Sequence, residues 1–148
     1  LTPLMKAKEL AVQGINQGLL LQIMFVKLQV QLEAKQLSEA EETYHQFAQL
    51  ATAIDEPWST AFLHWASGIM AIKCQKISES IDDLEKAAQI FRDVGRKYEL
   101  AKVLLSLSQT LWSLNREDDA KQALDEAEKI FGELNAKRDL ERLSDLRK

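Results

Sequence analysis

Apolar residues recur along this chain in steps of three and four, and the whole pattern returns with a period of about 40 residues, a length typical of helical repeats. Leu4, Tyr44, Leu84 and Leu124 share one phase, and Ala7, Phe47, Ala87 and Ala127 share a second. Leu10, Leu50, Ile90 and Ile130 make a third, and Ala11, Ala51, Phe91 and Phe131 a fourth. Steps of three and four put side chains on one face of a helix. A long period sustained through a chain marks a solenoid, in which each helical unit buries its apolar face on its neighbours. No two-residue alternation competes, and the good helix formers Ala, Leu, Glu, Lys and Gln dominate. The pattern therefore predicts an all-α fold of antiparallel helix pairs. It forms one domain over residues 1–148, with units of about 17–56, 57–96 and 97–136 and an incomplete unit at each end.

Each unit reads as a first helix, A, and a second, B. Thr2 and Pro3 predict a capped helix start, and Gly14 and Gly18 are expected to bracket the end of that B-type helix. Helix A of the first unit then carries Leu20, Ile23, Val26 and Val30 on one side. Ser38 through Glu41 match the S-x-x-E capping box, and Ser78 and Asp118 are the corresponding expected caps. Pro57 suits a first helical turn, and Gly95 and Asn135, in phase, are expected to end B helices in the left-handed conformation. Residues 136–148 open a further copy, with Leu140 and Leu143 in phase with Leu100 and Val103. The chain starts within one unit and stops within another, so it reads as a fragment of a longer protein. Unfinished units predict a homodimer through the end repeats, since terminal units normally need a polar cap.

Composition narrows the function. The chain is 46% hydrophobic and 28% charged, enough to build a core. A net charge of -4 with interspersed signs argues against a nucleic-acid partner, whose phosphates need a basic face. The most apolar window, residues 18–30, is broken by Gln22, Lys27 and Gln29, so no membrane partner is expected. The single cysteine, Cys74, rules out an internal disulfide and fits a reducing, cytoplasmic setting.

Small residues recur near the start of helix B at Ala40, Ser80 and Ala120, and seven positions later at Ala87 and Ala127. Gly68 and Ser108 hold a small position late in helix A. Small and large residues at these offsets resemble the tetratricopeptide repeat, a helix-turn-helix unit whose usual period is 34. The longer period here, with the segments Ile90–Arg96 and Ile130–Ala136, resembles the long-helix arrays attached to bacterial signalling ATPases, nucleotide cyclases and transcription regulators. The resemblance implies an α-α superhelix and a regulatory or partner-docking segment of a larger signalling protein. In the chaperone-binding subtype, Lys and Asn on the A helices hold a peptide carboxylate. Of the matching positions only Lys102 fits, so a chaperone tail is not the expected ligand.

Candidate chemistry has bland explanations. Glu41 and His45 lie one turn apart, but a metal site needs three or four ligands, so the surface pair is preferred and no metal or cofactor is expected. His64 and Cys74 fall on different sides of one helix, which leaves Cys74 as an ordinary buried thiol. Asp82-Asp83 and Asp118-Asp119 sit at B-helix starts, where the dipole favours negative charge by ~0.3–1 kcal/mol. Nothing points to an enzyme. The expected function is a protein- or peptide-binding scaffold; the alternative is a structural spacer or self-association module.

The second A helix is apolar nearly all round, with Phe62, Trp65, Ile69 and Ile72 in one stripe. Two readings stand: the stripe is core, as such a helix usually is, or it lines a binding groove. By the resemblance, A helices line a concave face. The groove would then be lined by Phe25, Phe62, Trp65, Ile69, Leu105, Gln109 and Trp112.

Overall fold

The computed structural model describes residues 2–147, apart from the side chains at positions 7, 8 and 10–15. The burial expected for Ala7, Leu10 and Ala11 lies outside the described residues. Seven helices follow one another among those residues: α1 (Pro3–Glu33), α2 (Leu37–Ile54), α3 (Pro57–Lys73), α4 (Ile77–Val94), α5 (Lys97–Ser113), α6 (Glu117–Glu133) and α7 (Lys137–Arg147). This is an all-α helical-repeat fold. The chain divides into two compact units, residues 1–66 and 67–148. In the first, α1 packs on α2; in the second, α4 packs on α5, α5 on α6 and α6 on α7.

One backbone device makes the helix ends. Lys35, Asp55, Gln75, Gly95, Asn115 and Asn135 all have positive φ, between 52° and 78°, and recur at even intervals of half the repeat period. Five of them close Schellman turns. Beyond Lys35, for example, the Gln36 N–H donates to the Gln31 carbonyl while the Lys35 N–H donates to that of Leu32. The pairs Lys76–Ala71, Arg96–Phe91, Arg116–Leu111 and Ala136–Phe131 repeat the longer bond. Asp55 uses the simpler form, its N–H donating to Ala51. Gly95 and Asn135 thus end their helices as expected.

The same turns correct two expectations. Ser38, Ser78 and Asp118 are not the caps; Gln36, Lys76 and Arg116 hold those positions, without side-chain cap bonds. A Schellman turn leaves one residue before the next helix, so each B helix starts earlier than its cap-like residue suggests. Nor does a helix end between Gly14 and Gly18: α1 runs unbroken for 31 residues. The position in series with Asp55, Gly95 and Asn135 is Ile15, and a β-branched residue strongly resists the left-handed conformation. At the start of α1 the Thr2 hydroxyl accepts from the Met5 N–H, with Pro3 in the first turn, as expected. Ser59 caps α3 by accepting from the Glu56 N–H and donating to the Ala51 carbonyl.

The cores follow the repeat register. Ala40, Ser80 and Ala120 are fully buried, as are Phe47, Ala87 and Ala127, while Leu84 and Leu124 lie beside them. Gly68 lets α3 approach α4 closely: a Cβ there would lie 2.9 Å from the Leu84 side chain. Leu143 of α7 is buried, and Arg147 ties that helix to Asp125 and Glu128 of α6 at 2.6 and 2.7 Å. Cys74 is exposed, not buried, because it lies in the turn after α3 rather than in the helix body.

Candidate docking surface

The seven expected groove residues divide into two groups. In the first unit, Phe25 of α1 meets Phe47 of α2 at 5.9 Å between ring centroids, and Phe62 and Trp65 of α3 at 5.6 and 4.5 Å. Phe62 and Trp65 stack at 5.8 Å. These rings are buried, with Trp65 only 4% exposed. They form the aromatic centre of that unit's core, so a partner has no direct access to Phe25, Phe62 or Trp65. The core reading of the apolar stripe describes these three.

The second unit holds the other four. Leu105 is buried, Ile69 is half-buried, Gln109 is exposed and Trp112 is 41% exposed. Three of these lie on α5, in the series Tyr98, Lys102, Leu105, Gln109 and Trp112. Its steps of four and three make one continuous stripe on that helix. The opposite side of α5, with Leu100, Val103, Leu104 and Leu107, is buried and fixes the helix in place.

Tyr98 is the member that the groove expectation lacked. Its ring lies against Phe131 edge-on at 6.0 Å, and its hydroxyl donates to an Asp139 carboxylate oxygen of α7 at 3.2 Å. The Lys102 ammonium sits 5.6 Å from the ring centroid, a cation–π distance. Partial burial, and then the Asp139 carboxylate, hold the phenol pKa above its ordinary value. The sequence signal was present, since Tyr98 falls two turns before Leu105 on the same stripe. The result is a polar and aromatic strip, with Tyr98 anchored by three neighbours at one end and the exposed Trp112 indole at the other. Such a strip suits contact with another chain: flat aromatic surface, hydrogen-bonding edges and one cation.

On another side of α5, a cleft of about 320 Å³ has Leu104, Leu107, Leu111 and Ala123 as its floor. Glu85 and Arg92 of α4 and Arg116, Asp119, Gln122 and Glu126 of α6 form its rim. The Arg92–Glu126 and Arg116–Asp119 ion pairs occupy that rim. Among the described residues no group of three or more His, Cys, Asp or Glu is placed to hold a metal ion. No described helix is long and apolar enough to cross a membrane.

No family model matches the chain, and no curated protein matches it significantly. Among solved structures it is similar to the crystal structure of BtubC (BKLC) from P. vanneervenii, with a TM-score of 0.67 at 18% identity. The match covers 88% of this chain and 53% of that one, so the chain spans about half the length of its structural relative. At this identity the likeness concerns the fold alone.

Proposed function

We propose that this chain is a non-enzymatic protein- or peptide-binding scaffold, a long-helix array of tetratricopeptide type. It serves as a cytoplasmic regulatory segment of a larger signalling or transcription-regulating protein. The observation that carries this reading is the α5 strip, where Tyr98 and Trp112 expose about two-fifths of their surface on a helix whose opposite side is set in the core. Aromatic side chains held rigidly at a surface lose little entropy when a partner covers them, which is why they dominate binding energies. The small-residue register supports the tetratricopeptide assignment, since Ala40, Ser80 and Ala120 are fully buried at the same offset.

The test is a selection of displayed peptides against the folded chain, followed by titration of the selected peptides into Trp112→Ala and Tyr98→Ala variants. Binding to the α5 strip requires at least a tenfold loss of affinity in each, with the helical circular-dichroism signal unchanged. Selected peptides that bind both variants as tightly as the parent chain would sink the assignment of this face.

A further inference from the structure

A second apolar face runs along α1. Leu19, Ile23, Val26 and Val30 are 56–58% exposed and lie opposite the buried stripe of Leu21, Phe25, Leu28 and Leu32. Met5, at 53% exposure, extends the line toward the start of the helix. Positions 5, 19, 23, 26 and 30 are separated by steps of fourteen, four, three and four. That spacing is the seam by which two helices pair side by side.

The repeat register says what belongs on this seam. Two repeats on, the seam residues Ile23 and Val30 become Val103 and Thr110 of α5, both buried, Leu19 and Val26 become the half-buried Glu99 and Ser106, and α4 packs on α5. The α4 residues bordering α5 along the cleft are Glu85 and Arg92. Two repeats earlier, in the incomplete unit before residue 17, the equivalent positions in the sequence are Met5 and Val12, apolar where α4 is charged. The two halves of α1 are thus the two sides of one B-on-A helix contact. In the second unit, the left-handed Gly95 folds that contact into a hairpin. In α1 the equivalent position is Ile15, the helix continues without a break, and residues 5 and 30 lie about 38 Å apart along it at 1.5 Å per residue.

We propose that the two halves meet in trans. The α1 of a second copy of this chain lies antiparallel along the seam, Met5 beside Val30, about a two-fold axis between positions 17 and 18. Each copy supplies to the other the helix face that α4 supplies to α5, so the contact is self-complementary and closed. This face is separate from the α5 strip, and neither proposal rests on the other.

The test uses the whole chain with Cys74→Ser as background. Light scattering should give twice the 16.8 kDa chain mass, and Ile23→Glu with Val26→Glu should return it to one chain mass with helicity retained. Met5→Cys with Val30→Cys should form a disulfide between two chains on mild oxidation. Ile15→Gly, which restores the hinge residue type found at Gly95, should shift that disulfide to within one chain and the mass to monomer. A monomer at every attainable concentration overturns the proposal, as does an intrachain disulfide in the Ile15 parent or a dimer indifferent to the two glutamates.

Discussion

Arg92 of α4 grips both carboxylate oxygens of Glu126 of α6, 34 positions further on, through one guanidinium nitrogen at 3.0 and 3.1 Å. The bridge links successive B helices across the cleft floored by α5. Both side chains are about two-fifths exposed, so the pair contributes roughly 0–1 kcal/mol. Arg92→Ala should lower stability by that amount in low salt, and the difference from the parent should shrink in 1 M salt, where screening acts within about 3 Å. Denaturant melts at the two salt levels measure it; a salt-independent loss of several kcal/mol would show that Arg92 acts through packing.

Two helical glycines should respond to alanine with opposite signs. At Gly68 the new methyl would meet Leu84, itself fully buried. Overpacking of ~1–3 kcal/mol then outweighs a helix-propensity gain of ~1 kcal/mol. At Gly132 nothing lies within 4 Å of the built Cβ, so Gly132→Ala should stabilise by ~0.5–1 kcal/mol. Chemical denaturation of both variants decides it, and a stabilising Gly68→Ala would mean that Leu84 moves aside freely.

The two tryptophans should separate stability from binding. Trp65→Ala removes the centre of the aromatic core in the first unit and should cost ~3–5 kcal/mol. Trp112→Ala removes an exposed ring and should cost under about 1 kcal/mol, its effect appearing in partner affinity instead. Similar denaturation midpoints for the two variants would contradict the burial difference.

Tyr98 should titrate late. Its neutral phenol is favoured in the folded chain by burial and by Asp139, so its pKa is raised on folding. The corresponding stability is fully present below the unfolded-state pKa and is lost as pH rises through the folded one. In a Tyr44→Phe background, phenolate absorbance should appear at higher pH for the native chain than for the unfolded chain. Asp139→Asn should move it part of the way back. No movement with Asp139→Asn would mean that the hydrogen bond between Tyr98 and Asp139 does not persist in solution.

The architecture was legible because burial in a repeat obeys a register, and the recurrence of Leu84 as Leu124 and of Phe91 as Phe131 is visible in the bare sequence. The turns were half legible. Gly95 and Asn135 advertise a left-handed backbone, whereas Lys35 and Gln75 adopt it without any compositional signal, because the Schellman bonds hold them there. The missed caps follow from the same bonds. The groove was not legible for a different reason. Phe62 and Trp65 share their stripe with Ile69, and periodicity reports which residues share a face but not which neighbour covers it. Phe25 supplies that cover for the first two. Trp112 is left outside, although it is as apolar as they are and stands in the same repeat position as Ile72.

The even spacing of the left-handed residues has a consequence for how such a chain can change length. One residue added inside a helix turns everything beyond it by about 100° relative to everything before, moving buried positions to the surface. One residue added at a turn shifts the N–H donors away from the helix-end carbonyls that a Schellman closure pairs. Neither kind of site offers slack. Growth and loss are therefore quantised, and the step that restores both azimuth and turn is a whole helix pair.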